Sequence, residues 1–357
     1  MRKPLLALLF GATVLASCDP KRDPDPVPTA PVTTGVYILN EGQFNAGDAT
    51  VSAFDKSNKT LVVDGFGAAN MGSKLGDVVQ DMGIVGNRGY ICVNASNKVQ
   101  VVDLPSLKSV VAINNIRQPR YFVSTSATRG YVTSWRGPYT NYQPGKVMVL
   151  DLTSNTVIDS IMVGRNPEQL IALGGKLYVP NSNDNTVSVI DVATNKVTAT
   201  VTVGDGPRTV VADQANNIWA LGTGFTVYNP SPPYNVISST PGSLTRFAAS
   251  NNTVSLTLAF ANTSASKLRI SPDKTQLYFG YNGAEYQMST SATTLPTTPF
   301  IRRSFSGFAI DPRDNTIFAA VSTGYTTNGR FLRYPATGGA AIDSFTVKVG
   351  PNGFAFY

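Results

Sequence analysis

Short runs of β-branched and aromatic residues, each bounded by Asn, Asp, Gly or Pro, recur along the chain. The clearest set is Asn166-Pro167-Glu168-Gln169-Leu170-Ile171-Ala172, then Lys176-Leu177-Tyr178-Val179, then Thr186-Val187-Ser188-Val189-Ile190-Asp191, then residues 196–204. Four short strands are predicted, separated by turns at residues 181–185 and 193–195, whose side chains can hydrogen-bond their own backbone. Units of about 40 residues of this kind repeat through the chain. Gly89-Tyr90-Ile91-Cys92-Val93-Asn94 with residues 99–103, and Gly130-Tyr131-Val132-Thr133-Ser134 with residues 147–151, are further copies. Others start at Gly206, with a Pro-rich insertion at residues 228–233, and near Ser266 and Ser306.

The two ends of the repeat region are each incomplete. Residues 35–40, 49–55 and 60–64 supply second, third and fourth strands with no first strand before them, and residues 350–357 supply a first strand with nothing after it. Each fragment completes the other. The predicted fold is therefore all-β: a seven-bladed β-propeller closed by the C-terminal strand pairing into the first blade, which removes two open sheet edges. An open solenoid is the competing architecture, but it calls for a polar capping repeat that is missing here.

Ahead of the repeats, Arg2 and Lys3 precede an apolar run from Leu5 to Ala16 that is too short to span a bilayer, the pattern of a signal peptide over residues 1–17. Leu15-Ala16-Ser17-Cys18 resembles the bacterial lipobox, which implies acylation of Cys18. Residues 18–34, rich in alternating prolines, read as an extended tether, and residues 35–357 as one propeller domain. Charged residues directly after Cys18 resemble surface-export signals, favouring a cell-surface outer-membrane location; Asp19 as an inner-membrane retention signal, or a periplasmic orientation, is the alternative. With Cys18 acylated, Cys92 has no partner in the chain and sits in an apolar run, as a buried small hydrophobe would.

Composition narrows the chemistry. The formal charge of +7 is dispersed, with no basic and aromatic run, so nucleic acid is not expected as a partner. There is no histidine, which removes Ser–His hydrolysis, His metal cages and His acid–base catalysis together. Asp55, Asp103, Asp151 and Asp191 follow the third strand of their units and are expected to cap turns. Asp184 lacks the spacing of a calcium loop, and Gly65-Phe66-Gly67 is not placed at a strand-to-helix turn, so no metal, phosphate loop or cofactor is expected and the protein is read as a non-enzyme.

Aligning the units puts Gln80, Arg120, Glu168, Arg208, Lys267, Gly307 and Asn352 at one equivalent position, where each innermost strand starts. They differ in charge and size, as an asymmetric ligand requires, although a solvated channel lining would look the same. Loops between second and third strands add Asn40, Glu41, Gln43 and Phe44, then Asn94 and Asn97, then Asn181, Asn183 and Asp184, then Tyr281, Asn282, Tyr286 and Tyr325. The longest is Trp135-Arg136-Gly137-Pro138-Tyr139-Thr140-Asn141-Tyr142-Gln143, whose aromatic rings suit a binding loop or a loop packed on itself.

Tyr178-Val179-Pro180-Asn181 followed by residues 186–191 resembles the YVTN repeat of YncE-like propellers. Gly35-Val36-Tyr37-Ile38-Leu39-Asn40-Glu41-Gly42, with residues 49–55 and 76–82, resembles a Bacteroidetes lipoprotein propeller family over nearly the whole mature chain. That resemblance implies a surface protein that captures a corrinoid (vitamin B12) and passes it to a TonB-dependent outer-membrane transporter, held to the membrane by its lipid alone. The shared motifs are scaffold and carry no ligand contact across. A protein- or glycan-interaction platform of adhesin type, using the same face, is the second reading.

Overall fold

The computed structural model describes residues 35–137 and 143–357. Seven antiparallel sheets stand in a ring as blades of a β-propeller. Their innermost strands are Pro351–Phe356, Val79–Val85, Pro119–Ser124, Ile171–Leu173, Pro207–Ala212, Ser266–Ile270 and Gly307–Ile310, for blades 1 to 7 in that order. Six blades have four strands, while blade 6 has three. In its place the chain crosses irregularly, touching the third strand through the bridge from Glu285 to Ile301.

The predicted closure is present. The C-terminal strand Pro351–Phe356 pairs antiparallel with Gly35–Asn40, setting Val36 against Phe356 and Ile38 against Phe354. Three contacts reinforce it. Phe54, Phe318, Phe331 and Phe345 form an aromatic wedge between blades 7 and 1, with Phe54 to Phe345 at 4.7 Å and Phe318 to Phe356 at 5.5 Å between centroids. Gly307 lies so close to the C-terminal strand that a Cβ there would sit 2.4 Å from the Asn352 carbonyl oxygen, so only glycine allows blade 7 to approach blade 1. Arg313 donates to the carbonyls of Tyr357 at 2.7 Å and Gly35 at 3.5 Å, while Lys56 of blade 1 reaches Asp311 at 2.5 Å and Asp314 at 2.6 Å on blade 7.

The core lies between blades, where second and third strands carry the buried side chains: Tyr37, Tyr90, Tyr131 and Tyr178 occupy one repeated position, each at most 2% exposed. Cys92 belongs to this layer and is fully buried, and desolvation drives its thiol pKa well up, so it is an inert hydrophobe. One feature departs from the sequence reading. Residues 65–67 do follow a strand into a helix, Gly65–Ala69 after Thr60–Val62, but Asp64 caps its first turn by accepting from Gly67 N at 2.9 Å. The Pro-rich insertion of blade 5 is a hairpin of its own, Thr226–Tyr228 with Val236–Ser239.

Phe331 is wholly buried at the seam, so Phe331→Ala should cost about 3–5 kcal/mol. Removing residues 351–357 should abolish cooperative unfolding in urea and produce aggregates on gel filtration; a truncated chain melting like its parent would refute closure as the source of stability.

Candidate functional site

Inner strands run one way around the axis, so their first residues meet at one end of the ring with the ends of the second strands. Pro119 is opposite Ser134, and Pro207 opposite Gly222. At this mouth four predicted residues join in one polar arc. Arg120 Nη1 donates to Gln80 Oε1 at 2.5 Å, and its Nε and Nη2 grip Glu168 at 3.0–3.2 Å. Arg208 Nη1 stands 3.8 Å from the same carboxylate, which is 2% exposed, whereas the Arg208 side chain is 54% exposed. The Arg120 guanidinium also stacks 4.3 Å from the ring centroid of Trp135, whose Nε1 donates to the Pro167 carbonyl at 3.1 Å. Across the mouth, Asn352 Nδ2 donates to Glu41 Oε1 at 2.6 Å and to the Val79 carbonyl at 3.2 Å, and Lys267 Nζ donates to the Phe305 carbonyl at 2.8 Å.

A second layer, absent from the sequence reading, supports the first. Tyr121 accepts from Gln80 Nε2 at 3.2 Å through its hydroxyl oxygen, Asp81 accepts from Phe122 N at 2.9 Å, and Arg269 Nη1 donates to Gln169 Oε1 at 3.1 Å. Glu285, 1% exposed, faces Gly280 across the strand pair, and its Oε2 has no partner among the described residues. A charge placed within a strand where neighbours are apolar was the available signal for Arg269 and Glu285.

Burial sets the titration of these groups. It lifts Glu285 to about 8 against the opposing pull of Lys267 and Arg269, and lifts Asp81 to about 6 despite hydrogen bonds from Phe122 and Met82. Glu41 is raised by the same cause and Lys267 lowered by it. The mouth at neutral pH therefore holds a protonated Glu285 beside cations, a mix of donors and acceptors fixed before any ligand arrives.

Several expected ligand contacts are instead scaffold. Asn40 and Asn181 are fully buried and donate to Thr50 and Ser52, and to Thr186 and Ser188, on the adjoining strand; Asn94, 7% exposed, donates to the Pro119 carbonyl at 3.1 Å. Asn40 and Asn181 fasten strand ends because the amide reaches hydroxyls at alternate positions of the next strand, and Asn94 ties its strand end to the next blade. Trp135, 7% exposed, supports Arg120 from beneath rather than offering a free ring. Asn183 is half-buried, and Tyr281 packs on Phe260 and Tyr286 while its hydroxyl accepts from Ala261 N. Gln43, Phe44, Arg136 and Tyr325 are exposed, Phe44 at 64% and Tyr325 at 88%. Tyr139, Tyr142 and Cys18 lie outside the described residues.

The carboxylates behave as the sequence predicts at three of four turns. Asp55 accepts from Ser57, Asp151 from Thr153 and Ser154, and Asp191 from Thr194. Asp103 differs: it pairs with Arg88. Asp184 pairs with Arg165 at 2.6 Å, and no group of three acidic or thiol side chains converges among the described residues.

The fold is that of a β-propeller, and solved structures agree on it. A quinoprotein alcohol dehydrogenase-like protein from Bacteroides thetaiotaomicron superposes with TM-score 0.68 at 13% identity, covering 92% of this chain and 79% of that one. A candidate 6-phosphogluconolactonase from Bacteroides fragilis gives 0.64 at 13%, covering 92% and 99%. Hydrazine synthase from Kuenenia stuttgartiensis gives 0.56 at 16%, covering 77% and 88%. No curated protein matches. A family model described as a domain of unknown function, DUF5074, matches residues 34–348, and the chain belongs to that family.

Arg120→Met should cost about 3–5 kcal/mol in urea unfolding, because it strands the buried Glu168 charge, and adding Glu168→Gln should restore part of the loss. Glu285 binds its proton more tightly folded than unfolded, where an ordinary glutamate titrates near 4.3, so its burial costs stability increasingly as pH rises from about 4 to about 8. Glu285→Gln should therefore melt above wild type at pH 8, the gap closing towards pH 4; a constant gap would contradict the raised pKa.

Proposed function

We propose that the mouth of the ring captures a polar ligand and that the protein is a lipid-anchored binder without catalytic activity. The carrying observation is the arc from Gln80 through Arg120 and Glu168 to Arg208: unlike residues at equivalent positions, prefixed by mutual hydrogen bonds, with Arg208 left mostly open to solvent. Such preorganised donors and acceptors suit a broad molecule fringed with amides. A corrinoid has that chemistry, and the sequence resemblance to corrinoid-capturing propellers makes it the leading ligand, with a TonB-dependent transporter as recipient. Acylation at Cys18 and display on the outer surface complete the reading. Gly35, the first described residue, lies at the end of the ring opposite the mouth.

A protein- or glycan-binding platform is the second reading, and one observation favours it. The blade 5 hairpin projects at the same end and exposes Val227, Tyr228, Tyr234, Val236 and Ile237 at 49–64%.

Titrating the purified protein with cyanocobalamin in a calorimeter should give saturable binding. Arg208→Ala should weaken it by about 1–3 kcal/mol if the guanidinium is buried by ligand. A flat titration at high concentration removes the corrinoid; retention of an envelope protein that depends on Val236 and Ile237 but on no small molecule supports the platform.

A further inference from the structure

We propose a second binding site, distinct from the mouth, for a tetrahedral oxyanion group, a phosphate or sulfate ester borne on a larger molecule. It is a 390 Å³ pocket at the rim of blade 3, on the same end of the ring. Arg117 enters it from the connection between blades 2 and 3, Arg136 from the segment after Arg129–Ser134, and Lys146 from the strand Pro144–Asp151. Asn115 and Gln143 add amide groups, and no acidic residue lines it among the described residues.

Three cations converge on this one concavity. Elsewhere Arg88 pairs with Asp103, Arg165 with Asp184 and Arg313 with Asp311. Arg117, Arg136 and Lys146 make no ion pair among the described residues. Lys146 Nζ is oriented by the Ser160 hydroxyl at 3.1 Å, and Arg136 Nη1 touches only the Met162 sulfur at 3.8 Å. Three like charges around one concavity repel one another and focus a positive potential that an anion relieves. Two guanidiniums offer forked donors matched to two oxygens of a tetrahedral anion, and an ammonium supplies a point charge for a third. The volume exceeds that of the bare anion, leaving room for the body that carries it.

Calorimetric titration with inorganic phosphate and with inorganic sulfate at low ionic strength tests the site. One-site saturable binding is expected, weakening as salt is added. It should fall at least tenfold in Arg117→Gln/Lys146→Gln and in Arg117→Glu, both at exposed or half-exposed positions and so folded as judged by an unchanged melting temperature, and should be unaffected by Arg208→Gln at the mouth. Competition by phosphatidic acid in phosphatidylcholine vesicles would assign the group to a lipid headgroup, and competition by a sulfated disaccharide to a glycan. Absence of saturable binding, or binding that survives both sets of substitutions, would overturn the proposal; loss in Arg208→Gln alone would move the anion to the mouth and overturn it equally.

Discussion

The pairing of residues 36–40 with the C-terminal strand holds everything else in place. Every blade buries its faces against two neighbours, and blades 1 and 7 have theirs only because the ends of the domain are hydrogen-bonded into one sheet. Main-chain pairing alone is permissive of register; the phenylalanine wedge is not, since Phe54, Phe318, Phe331 and Phe345 interlock with Phe354 and Phe356 in one arrangement. Burial opposes ionisation of Asp311, yet hydrogen bonds from Arg313 and Lys56 keep its carboxyl below the ordinary range, so the clamp on both termini stays charged at neutral pH.

A closed ring gives the mouth its rigidity. Neighbouring inner strands are stitched directly: Gln169 N donates to the Arg208 carbonyl, Leu268 N to the Thr209 hydroxyl and Phe122 N to the Asp81 carboxylate. The side chains above these bonds therefore have fixed spacing. Glu168 is the hub: Arg120 binds it with two nitrogens, and Trp135 stacks on the guanidinium. Glu285, with one oxygen unpartnered among the described residues, has its pKa raised to about 8 by burial against the pull of Lys267 and Arg269.

Repeat, closure and ring position were all legible because each recurs, and recurrence reports on backbone geometry. Ligand-facing side chains do not recur, and there the sequence misleads. Asn40 and Asn181 look like exposed loop amides, yet each is followed by a Thr-Val-Ser run, Thr50-Val51-Ser52 and Thr186-Val187-Ser188, whose hydroxyls receive the amide. That pattern of a strand-ending Asn before alternating hydroxyls is the mark of a fastener. Blade 6 lost its fourth strand for the opposite reason: residues 290–306 carry the Ser, Thr and Pro of a loop, and only the partner strand shows where they run.

The two ends of the ring differ in how their connections are built. At the far end, second strands begin and third strands finish, and the turns are tight, with Asp55, Asp151, Asp191, Asp213 and Asp273 each accepting from backbone two or three residues on. Such turns tolerate no insertion without losing the cap. At the mouth, the connections between second and third strands vary: blade 5 extends a twenty-residue excursion between Gly222 and Ser243, and blade 3 frames a basic pocket, while the flanking strands keep their register. Variation can therefore gather at one end while tight turns hold the other, and the asymmetric arc, the cationic pocket and the apolar hairpin all lie at that variable end.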